Sequence, residues 1–273
     1  MTQAISIKNN SLNELSGKEW IKHTKSWFNL RAAQRDEKIL HPACFPEKLV
    51  ERFLEFFTKT NDWIIDPFAG SGTSLVIAKK LKRYSFGIEL YEKYVNLTKN
   101  RLNNISSEGG IQSIITKGDS RNILDIVSEY NIPNFDFCIT SPPYWDQLNN
   151  NSERHADREE MGLDSKYGED FLDLGMIHDY KTFLTQQKFI FEDLYEIMKN
   201  RSYLVIVTNN VYKNGRLWPL AFDTLKTLSE KWVPKDEIIW CQDDRQLRPF
   251  GMFHSYIGNR SHHYCLIFRK EDN

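Results

Sequence analysis

Two glycines in the segment DPFAGSGT, which runs from Asp66 to Thr73, could hold a ligand close to the backbone. Gly70 and Gly72 follow one apolar run and precede another, so they predict a tight turn beside the free N–H groups of a helix start. Thr73 and Ser74 follow in place of the lysine of a phosphate-binding loop, which argues against a nucleoside triphosphate site. By itself this turn is equally compatible with an ordinary connection between a strand and a helix.

Two acidic residues follow at the ends of the next two apolar runs. Glu89 comes about twenty residues after the glycines, where an acid can accept hydrogen bonds from both ribose hydroxyls of an adenosine-containing cofactor. Asp119, with Ser120 beside it, could accept a hydrogen bond from the exocyclic amine of the adenine. Each acid also has a simpler interpretation, because an acid at a strand end is usually solvated and Asp119 could cap a helix.

The segment Ser141-Pro142-Pro143-Tyr144 follows the fourth apolar run. Two consecutive prolines cannot continue a sheet ladder, so they force a rigid exit from the strand. Ser141 and the carbonyl of Pro142 could accept both protons of an exocyclic base amine and direct its lone pair at a methyl donor, while Tyr144 would stack on the extruded base. A proline-rich turn is the alternative for this motif alone. The order of the four motifs, at the ends of four successive runs, argues against chance.

Helices and strands must alternate along the chain to position these motifs. The spacing of apolar residues predicts helices over Pro46–Lys59, Leu75–Leu81, Tyr91–Leu102, Arg121–Ser128 and Tyr180–Met198. It predicts seven strands over Trp63–Phe68, Ser85–Leu90, Ile111–Lys117, Phe135–Thr140, Ser202–Thr208, Glu237–Trp240 and Tyr264–Arg269. This alternation is typical of an α/β fold with a doubly wound, mostly parallel sheet that an antiparallel strand closes, in one domain over residues 1–273.

Two insertions, residues 146–177 and 241–263, interrupt the alternation and are predicted to be target-recognition or lid loops. The first holds eight acidic and three basic residues within Glu153–Asp173, and its acids are expected to face away from the site or to bind a partner. The second carries Arg245, Arg248 and Arg260 among aromatic residues, a composition that predicts contacts with a nucleic-acid backbone. A solvated loop is the alternative for the second insertion.

The overall composition limits the classes of function. A net charge of -1 and a pI near 6.7 give no general basic signal, so nucleic-acid binding must depend on local patches. No apolar stretch is long enough for a membrane span and the first residues are polar, so a cytoplasmic protein without a membrane partner is expected. The four cysteines, Cys44, Cys138, Cys241 and Cys265, are scattered singly and predict reduced thiols without a metal site.

DPFAGSGT together with TSPPYW resembles the DNA amino-methyltransferases, the family that makes N4-methylcytosine or N6-methyladenine. The segment from His41 and Pro42 to Phe45 resembles the family's contact with the methionine end of its cofactor, and Tyr212–Pro219 and His263–Phe268 resemble its later sheet motifs. The resemblance covers roughly Trp20–Lys270. It implies a Rossmann-like class I methyltransferase fold, S-adenosyl-L-methionine as cofactor, double-stranded DNA with a flipped base as substrate, and a role in restriction-modification.

The resemblance also implies roles for individual residues. Catalytic roles fall on Ser141, Pro142, Pro143 and Tyr144. Cofactor-binding roles fall on His41, Pro42, Phe45, Asp66, Phe68, Gly70, Gly72, Thr73, Glu89, Asp119 and Ser120. Many members of the family have a large target-recognition domain, whereas this sequence offers only the two insertions for that purpose. Recognition is therefore expected to be loop-based or shared with a protein partner.

The base that accepts the methyl group is narrowed by two observations. Methylation at carbon 5 of cytosine needs a thiolate, usually from a Pro-Cys pair, and no cysteine here follows a proline. In the family, serine at the position of Ser141 is associated with methylation of the N4 amine of cytosine, whereas aspartate or asparagine is associated with methylation of the N6 amine of adenine. Cytosine N4 is therefore favoured. Adenine N6, an RNA or small-molecule substrate, and a catalytically silent DNA-binding subunit stay open as alternatives.

Overall fold

Ten strands and seven α-helices alternate through the computed structural model, which describes residues 10–31, 46–106, 110–145 and 172–272. The strands are β1 (Trp27–Asn29), β2 (Trp63–Asp66), β3 (Tyr84–Glu89), β4 (Ser113–Lys117), β5 (Phe135–Thr140), β6 (Met198–Thr208), β7 (Val211–Lys213), β8 (Arg216–Trp218), β9 (Val233–Cys241) and β10 (His262–Arg269). The helices are α1 (Gly17–His23), α2 (Glu47–Phe57), α3 (Thr73–Lys80), α4 (Glu92–Asn103), α5 (Ile123–Ser128), α6 (Tyr180–Ile197) and α7 (Leu220–Leu228). None of the helices in these ranges is both long and apolar enough to cross a membrane.

Eight of these strands form one sheet in the order β1-β9-β10-β6-β5-β2-β3-β4. Strand β10 runs antiparallel to β6 and to β9, and the other neighbouring pairs are parallel, so the predicted α/β fold is confirmed. The main sheet has eight strands where seven were predicted, because β1 pairs with β9 at its edge. Its three residues are too few to show a periodic pattern, and pairing with residues 239–241 makes them a strand.

Alternate residues of the strands point into two separate apolar cores. Ile64 of β2 packs in a core with α2, α3 and α4, whereas the next residue, Ile65, packs in a second core with α5, α6 and α7. Successive side chains of a strand point to opposite faces, and a parallel sheet is stable when helices cover both. The helices therefore lie on both sides of the sheet, as a doubly wound fold requires.

The segment Tyr212–Pro219, which resembles a motif of the sheet, lies outside the main sheet. Its strands β7 and β8 pair only with each other among the strands described, as an antiparallel hairpin. At the turn, Asn214 and Gly215 have φ angles of 54° and 72°, which suit a type I′ turn. Because a two-residue turn reverses the direction of the chain directly, β7 and β8 lie side by side and pair with each other.

Parallel pairing brings six connections to one edge of the sheet. Strands β2 to β6 and β9 all run in one direction, so the segments that follow them leave from the edge formed by their carboxyl ends. Open α/β sheets bind their ligands at this edge. The second insertion is shorter than the predicted 241–263, because Cys241, His262 and His263 belong to strands and leave a loop of residues 242–261.

Candidate active site

The glycine turn and the double-proline exit follow neighbouring strands. Strands β2 and β5 pair directly, with Ile65 opposite Cys138. At the strand ends, the carboxylate of Asp66 accepts a hydrogen bond from Oγ1 of Thr140 at 2.7 Å. The glycine turn, predicted to bind a cofactor, and the double-proline exit, predicted to be catalytic, therefore lie next to each other at the sheet edge.

Asp66 faces inward. Its carboxylate also accepts hydrogen bonds from the backbone N–H of Phe68, at 3.1 Å, and from the hydroxyl of Ser74. The residue is buried, and burial raises its pKa to about 6 although these hydrogen bonds oppose the shift. Asp66 thus holds the turn against β5, and its role in binding a cofactor stays a prediction. Phe68, beyond it, is half-buried and packs against two apolar clusters.

The glycine turn is supported from behind by α4. Gly70 and Gly72 have φ angles of 51° and 73°, in the left-handed region that favours glycine. A Cβ at Gly72 would lie 2.2 Å from Cγ2 of Thr98, whose hydroxyl donates to the carbonyl of Gly70. Arg101 donates to the hydroxyl of the buried Thr73 at 3.2 Å. The sequence analysis missed Thr98 and Arg101, because only the packing of α4 against the turn identifies them.

Glu89 lies directly beside the glycine turn. One carboxylate oxygen accepts from the N–H of Gly70 and the other from the N–H of Tyr91, both at 2.9 Å. Burial raises the pKa of Glu89 from 4.5 to about 7, while the two amide hydrogen bonds oppose that shift. Each carboxylate oxygen has a further lone pair, so the group can still accept the hydroxyls of a ribose.

Asp119 and Ser120 are held by neighbouring groups. Asp119 caps a short 3-10 turn and forms an ion pair with Arg121, with Nη2 of the arginine 2.6 Å from Oδ2. The helix-cap alternative is thus realised at Asp119, next to the sheet edge. Ser120 is buried and donates its hydroxyl to the carbonyl of Pro67, so its side chain is part of the frame of the site. Arg121 also donates to the carbonyl of Leu172, at the end of the first insertion.

Asp173, the last acid of the first insertion, points into the protein. It accepts a hydrogen bond from the phenol of Tyr91 at 2.8 Å and caps the turn Leu174–Met176. Of the two orientations predicted for these acids, facing away from the site or binding a partner, Asp173 does not show the first, because the phenol and the turn amide bind its carboxylate. Gly175 in this turn lies next to Pro143. The acids from Glu153 to Asp170 lie outside the described residues, as do His41, Pro42 and Phe45.

The hydroxyl of Ser141 is part of a short hydrogen-bonded series. It donates to the phenol of Tyr144 at 3.2 Å, and the phenol oxygen lies 3.3 Å from Nδ1 of His263. The imidazole of His263 stacks on Trp240, and burial, reinforced by the charge of Arg245, lowers its pKa to about 3. The ring is therefore neutral near pH 7 and can accept a hydrogen bond from the phenol. His263 appeared in the sequence analysis only within a resembling segment, and only the fold brings it to Tyr144.

The two prolines are packed on the side of the first insertion. Pro142 is buried and Pro143 half-buried, and Trp145, two residues beyond Pro143, packs against Tyr180 and Trp218 at ring-centroid distances of 5.0 and 4.9 Å. These three rings come from different parts of the chain. Their packing supports the exit from β5.

The three predicted DNA-binding arginines share the loop of residues 242–261. Arg245 is exposed and donates to the carbonyl of Arg260 at 2.8 Å. The backbone of Arg248 exchanges two hydrogen bonds with the side chain of Asn259. The guanidinium of Arg260 lies over the ring of Tyr212, in the β7–β8 hairpin. The fold thus brings these arginines to the edge where Ser141 leaves β5.

The donors and acceptors of this edge fit an adenosyl cofactor. A glycine turn and a carboxylate lie side by side at Gly70 and Glu89, and a second carboxylate follows the neighbouring strand at Asp119. In the ranges that the structure describes, no group of three or more histidines, cysteines, aspartates or glutamates is arranged to hold a metal ion.

Part of the sequence matches known methyltransferases. Residues 2–100 match a family model described as DNA methylase, of the N6 and N4 type. The type II methyltransferase M2.LlaDCHI of Lactococcus lactis subsp. cremoris is 45% identical over 69 residues, which are 25% of this chain and 26% of that protein. M.BglII of Bacillus subtilis is 35% identical over 92 residues, 33% of this chain and 26% of that protein. The matches thus span about a quarter of these relatives.

Two solved structures share the fold over most of the chain. TrmN from Thermus thermophilus has a TM-score of 0.50 at 11% identity, over 82% of this chain and 48% of that one. A candidate rRNA methylase from Clostridium thermocellum has a TM-score of 0.50 at 12% identity, over 81% of this chain and 96% of that one. At these identities the likeness concerns the fold alone. Residues 2–100 are thus similar to the DNA methylases of the N6 and N4 type, and the sheet has the Rossmann-like fold of the two solved methyltransferases.

Proposed function

We propose that the protein transfers a methyl group from S-adenosyl-L-methionine to the exocyclic amine of a flipped base in DNA, with cytosine N4 as the favoured acceptor and adenine N6 as the alternative. The observation that carries this proposal is the position of Ser141, a hydrogen-bond acceptor on a rigid exit, beside the glycine turn. Because the relatives are type II methyltransferases, the proposal includes a restriction-modification setting.

The cofactor would lie along the ends of β2, β3 and β4. Gly70, Gly72 and Thr73 would face its methionine part, Glu89 its ribose hydroxyls and Asp119 its adenine amine, with the segment from His41 to Phe45 at its methionine end. When bound, the cofactor supplies an electrophilic methyl group on a sulfonium. Asp66 and Ser120 contribute by holding the turn, since their side-chain oxygens bind groups within the protein.

An amine attached to a base is a poor nucleophile, because its lone pair is delocalised into the ring. The hydroxyl oxygen of Ser141 and the carbonyl of Pro142 would accept its two protons and direct the lone pair toward the methyl donor. Because the hydroxyl of Ser141 donates its hydrogen bond to Tyr144, and the phenol of Tyr144 can donate one to the neutral His263, the lone pairs of Ser141 stay available as acceptors. Tyr144 would also stack on the base.

Methyl incorporation tests the proposal. The purified full chain is incubated with labelled S-adenosyl-L-methionine and duplex DNA, RNA or free nucleosides, and the modified base is identified by mass spectrometry. We expect label in DNA, mainly as N4-methylcytosine. Label confined to RNA, or to nucleosides, would overturn the DNA assignment, and N6-methyladenine would overturn the choice of base. Undetectable cofactor binding by calorimetry would favour the silent subunit.

Neutralising Arg245 and Arg248 by substitution with glutamine should weaken DNA binding and flatten its dependence on salt. Each phosphate contact contributes about 0.9 to the slope of log affinity against log salt concentration, so losing two lowers the slope by about 2. Binding is measured by fluorescence anisotropy between about 50 and 200 mM salt. Over this interval a protein with several phosphate contacts typically loses roughly a thousandfold or more in DNA affinity. As a control, Lys235→Gln with Arg269→Gln removes two charges near the opposite ends of β9 and β10. An unchanged slope in the Arg245 and Arg248 variant would contradict phosphate contacts there.

Cofactor affinity should rise with pH through the pKa of Glu89. The folded protein holds an extra proton on this carboxyl between pH 4.5 and about 7, so raising the pH over that interval ionises a buried group and lowers the free energy of unfolding. A ribose that donates its hydroxyls favours the ionised form, and affinity should therefore increase about tenfold from roughly pH 6 to pH 8. Calorimetry on the protein and on Glu89→Gln measures this. The variant should bind weakly with a flat profile, and an unaltered pH dependence in it would assign the effect to another group.

A further inference from the structure

The loop between β9 and β10, residues 242–261, is a closed protrusion. Its base is held by a backbone hydrogen bond from Gln242 to Ser261, where the strands separate. Farther out, the side chain of Asn259 accepts from the N–H of Arg248 and donates to its carbonyl, at 2.9 and 2.8 Å. These bonds clamp the neck, so the residues between 248 and 259 form a tip held at a definite place.

The tip presents aromatic rings to solvent. Phe253 is 92% exposed and Tyr256 is 96% exposed, with Phe250 and Met252 also exposed beside them. Phe253 has a φ angle of 68°, a backbone conformation that a bulky residue rarely adopts. Strained residues of this kind concentrate at functional sites, and contiguous exposed apolar side chains mark surfaces that bind a partner.

The position of the tip and the charges of the neck indicate which partner the tip binds. The loop leaves from the same sheet edge as Ser141, and the charge of Arg245 acts on both Tyr144 and His263. Arg248 and Arg260 lie in the neck of the same loop. The neck carries three arginines against two aspartates, and arginines around apolar rings match a nucleic acid, in which phosphates surround stacked bases. A protein partner that covers these rings would have to place acidic groups beside the proposed entrance for DNA.

We infer that Phe253 and Tyr256 form a wedge that enters the DNA duplex beside the target base and stacks on the neighbouring bases when the target base flips. This inference rests on the proposed function, because a wedge is needed only where a base must leave the helix. Extruding a base breaks its pairing and stacking, and inserted apolar side chains compensate for lost stacking. The clamped neck would keep the rings at a constant distance from Ser141.

The experiment compares paired and weakened targets. The methylated site is first mapped by sequencing DNA treated with the wild-type protein. The double variant Phe253→Ala/Tyr256→Ala is then assayed on that duplex and on one in which the nucleotide opposite the target is abasic. We expect kcat/KM to fall at least about tenfold on the paired duplex and to recover to within about threefold of wild type on the abasic one, because the target is then already unpaired.

Two further variants control the comparison. Phe189→Ala removes an aromatic side chain that is 53% exposed on α6, and it should leave both activities unchanged. Phe253→Trp keeps a large ring at the tip and should retain most of the activity on paired DNA. Thermal unfolding and cofactor affinity of all the variants should match wild type.

Three outcomes would overturn the wedge. Wild-type activity of the double variant on paired DNA would show that the rings do not enter the duplex. An equal loss on both duplexes would indicate general DNA binding or the docking of another protein. A wild-type protein that methylates no DNA would refute the proposed function and the wedge together, and this outcome differs from the first two because the wild type itself is inactive.

Discussion

Replacing Gly72 with alanine should lower the affinity for S-adenosyl-L-methionine at least about a hundredfold, the loss that about 2.7 kcal/mol produces. The new Cβ would lie 2.2 Å from Cγ2 and 2.6 Å from Oγ1 of Thr98, so the glycine turn would have to move away from α4. The left-handed backbone at φ 73° adds about 1–2 kcal/mol for any residue with a Cβ, and overpacking typically adds 1–3 kcal/mol. Calorimetric titration with the cofactor and thermal unfolding measure the two effects.

Gly215 provides the matched control for this substitution. It has nearly the same backbone angle, φ 72°, but a Cβ there would meet nothing within 4 Å. Gly215→Ala should therefore lose only the stability that the backbone angle accounts for and keep the cofactor affinity of the wild type. If Gly72→Ala bound the cofactor as tightly as Gly215→Ala does, the turn would not be the cofactor site.

Replacing Ser141 with alanine should lower kcat for methyl transfer by about 10²–10³, while the cofactor affinity stays within about twofold of wild type. The substitution removes one of the two acceptors proposed for the amine protons, whereas no contact of Ser141 reaches the glycine turn or Glu89 in the hydrogen bonds of the described residues. Single-turnover assays on DNA measure the transfer step, and calorimetry measures cofactor binding.

The variant Tyr144→Phe tests how much the hydrogen bond from Ser141 to Tyr144 helps Ser141 to act as an acceptor. This variant keeps the ring for stacking but removes the phenol oxygen that accepts the hydrogen bond from Ser141. We therefore expect a smaller loss of kcat than in Ser141→Ala. A large loss of cofactor affinity in Ser141→Ala would instead assign this residue to the cofactor site. Equal kcat values for the wild type and Ser141→Ala would remove the serine from the mechanism.

The sequence by itself determined the order of the elements and the chemistry at their ends. Apolar runs such as Phe135–Thr140 end directly at a polar or proline-rich motif, and both features are local. The alternation of strands and helices then follows from their periods, and parallel pairing takes the carboxyl ends of β2 to β6 to the same edge. This is why Glu89, Asp119 and Ser141 could be predicted to meet there before any coordinates, whereas β1 could not be predicted from three residues.

Only the tertiary structure decided how each side chain is used. Asp66 and Ser120 turn inward, Asp173 binds Tyr91, and His263 lies beside Tyr144. The last two contacts join residues 82 and 119 positions apart, and no local spacing encodes such pairs. The use of Asp66 and Ser120 depends on burial, because a carboxylate or hydroxyl enclosed by the protein needs hydrogen-bond partners inside it. Those partners are known only when distant segments have packed together.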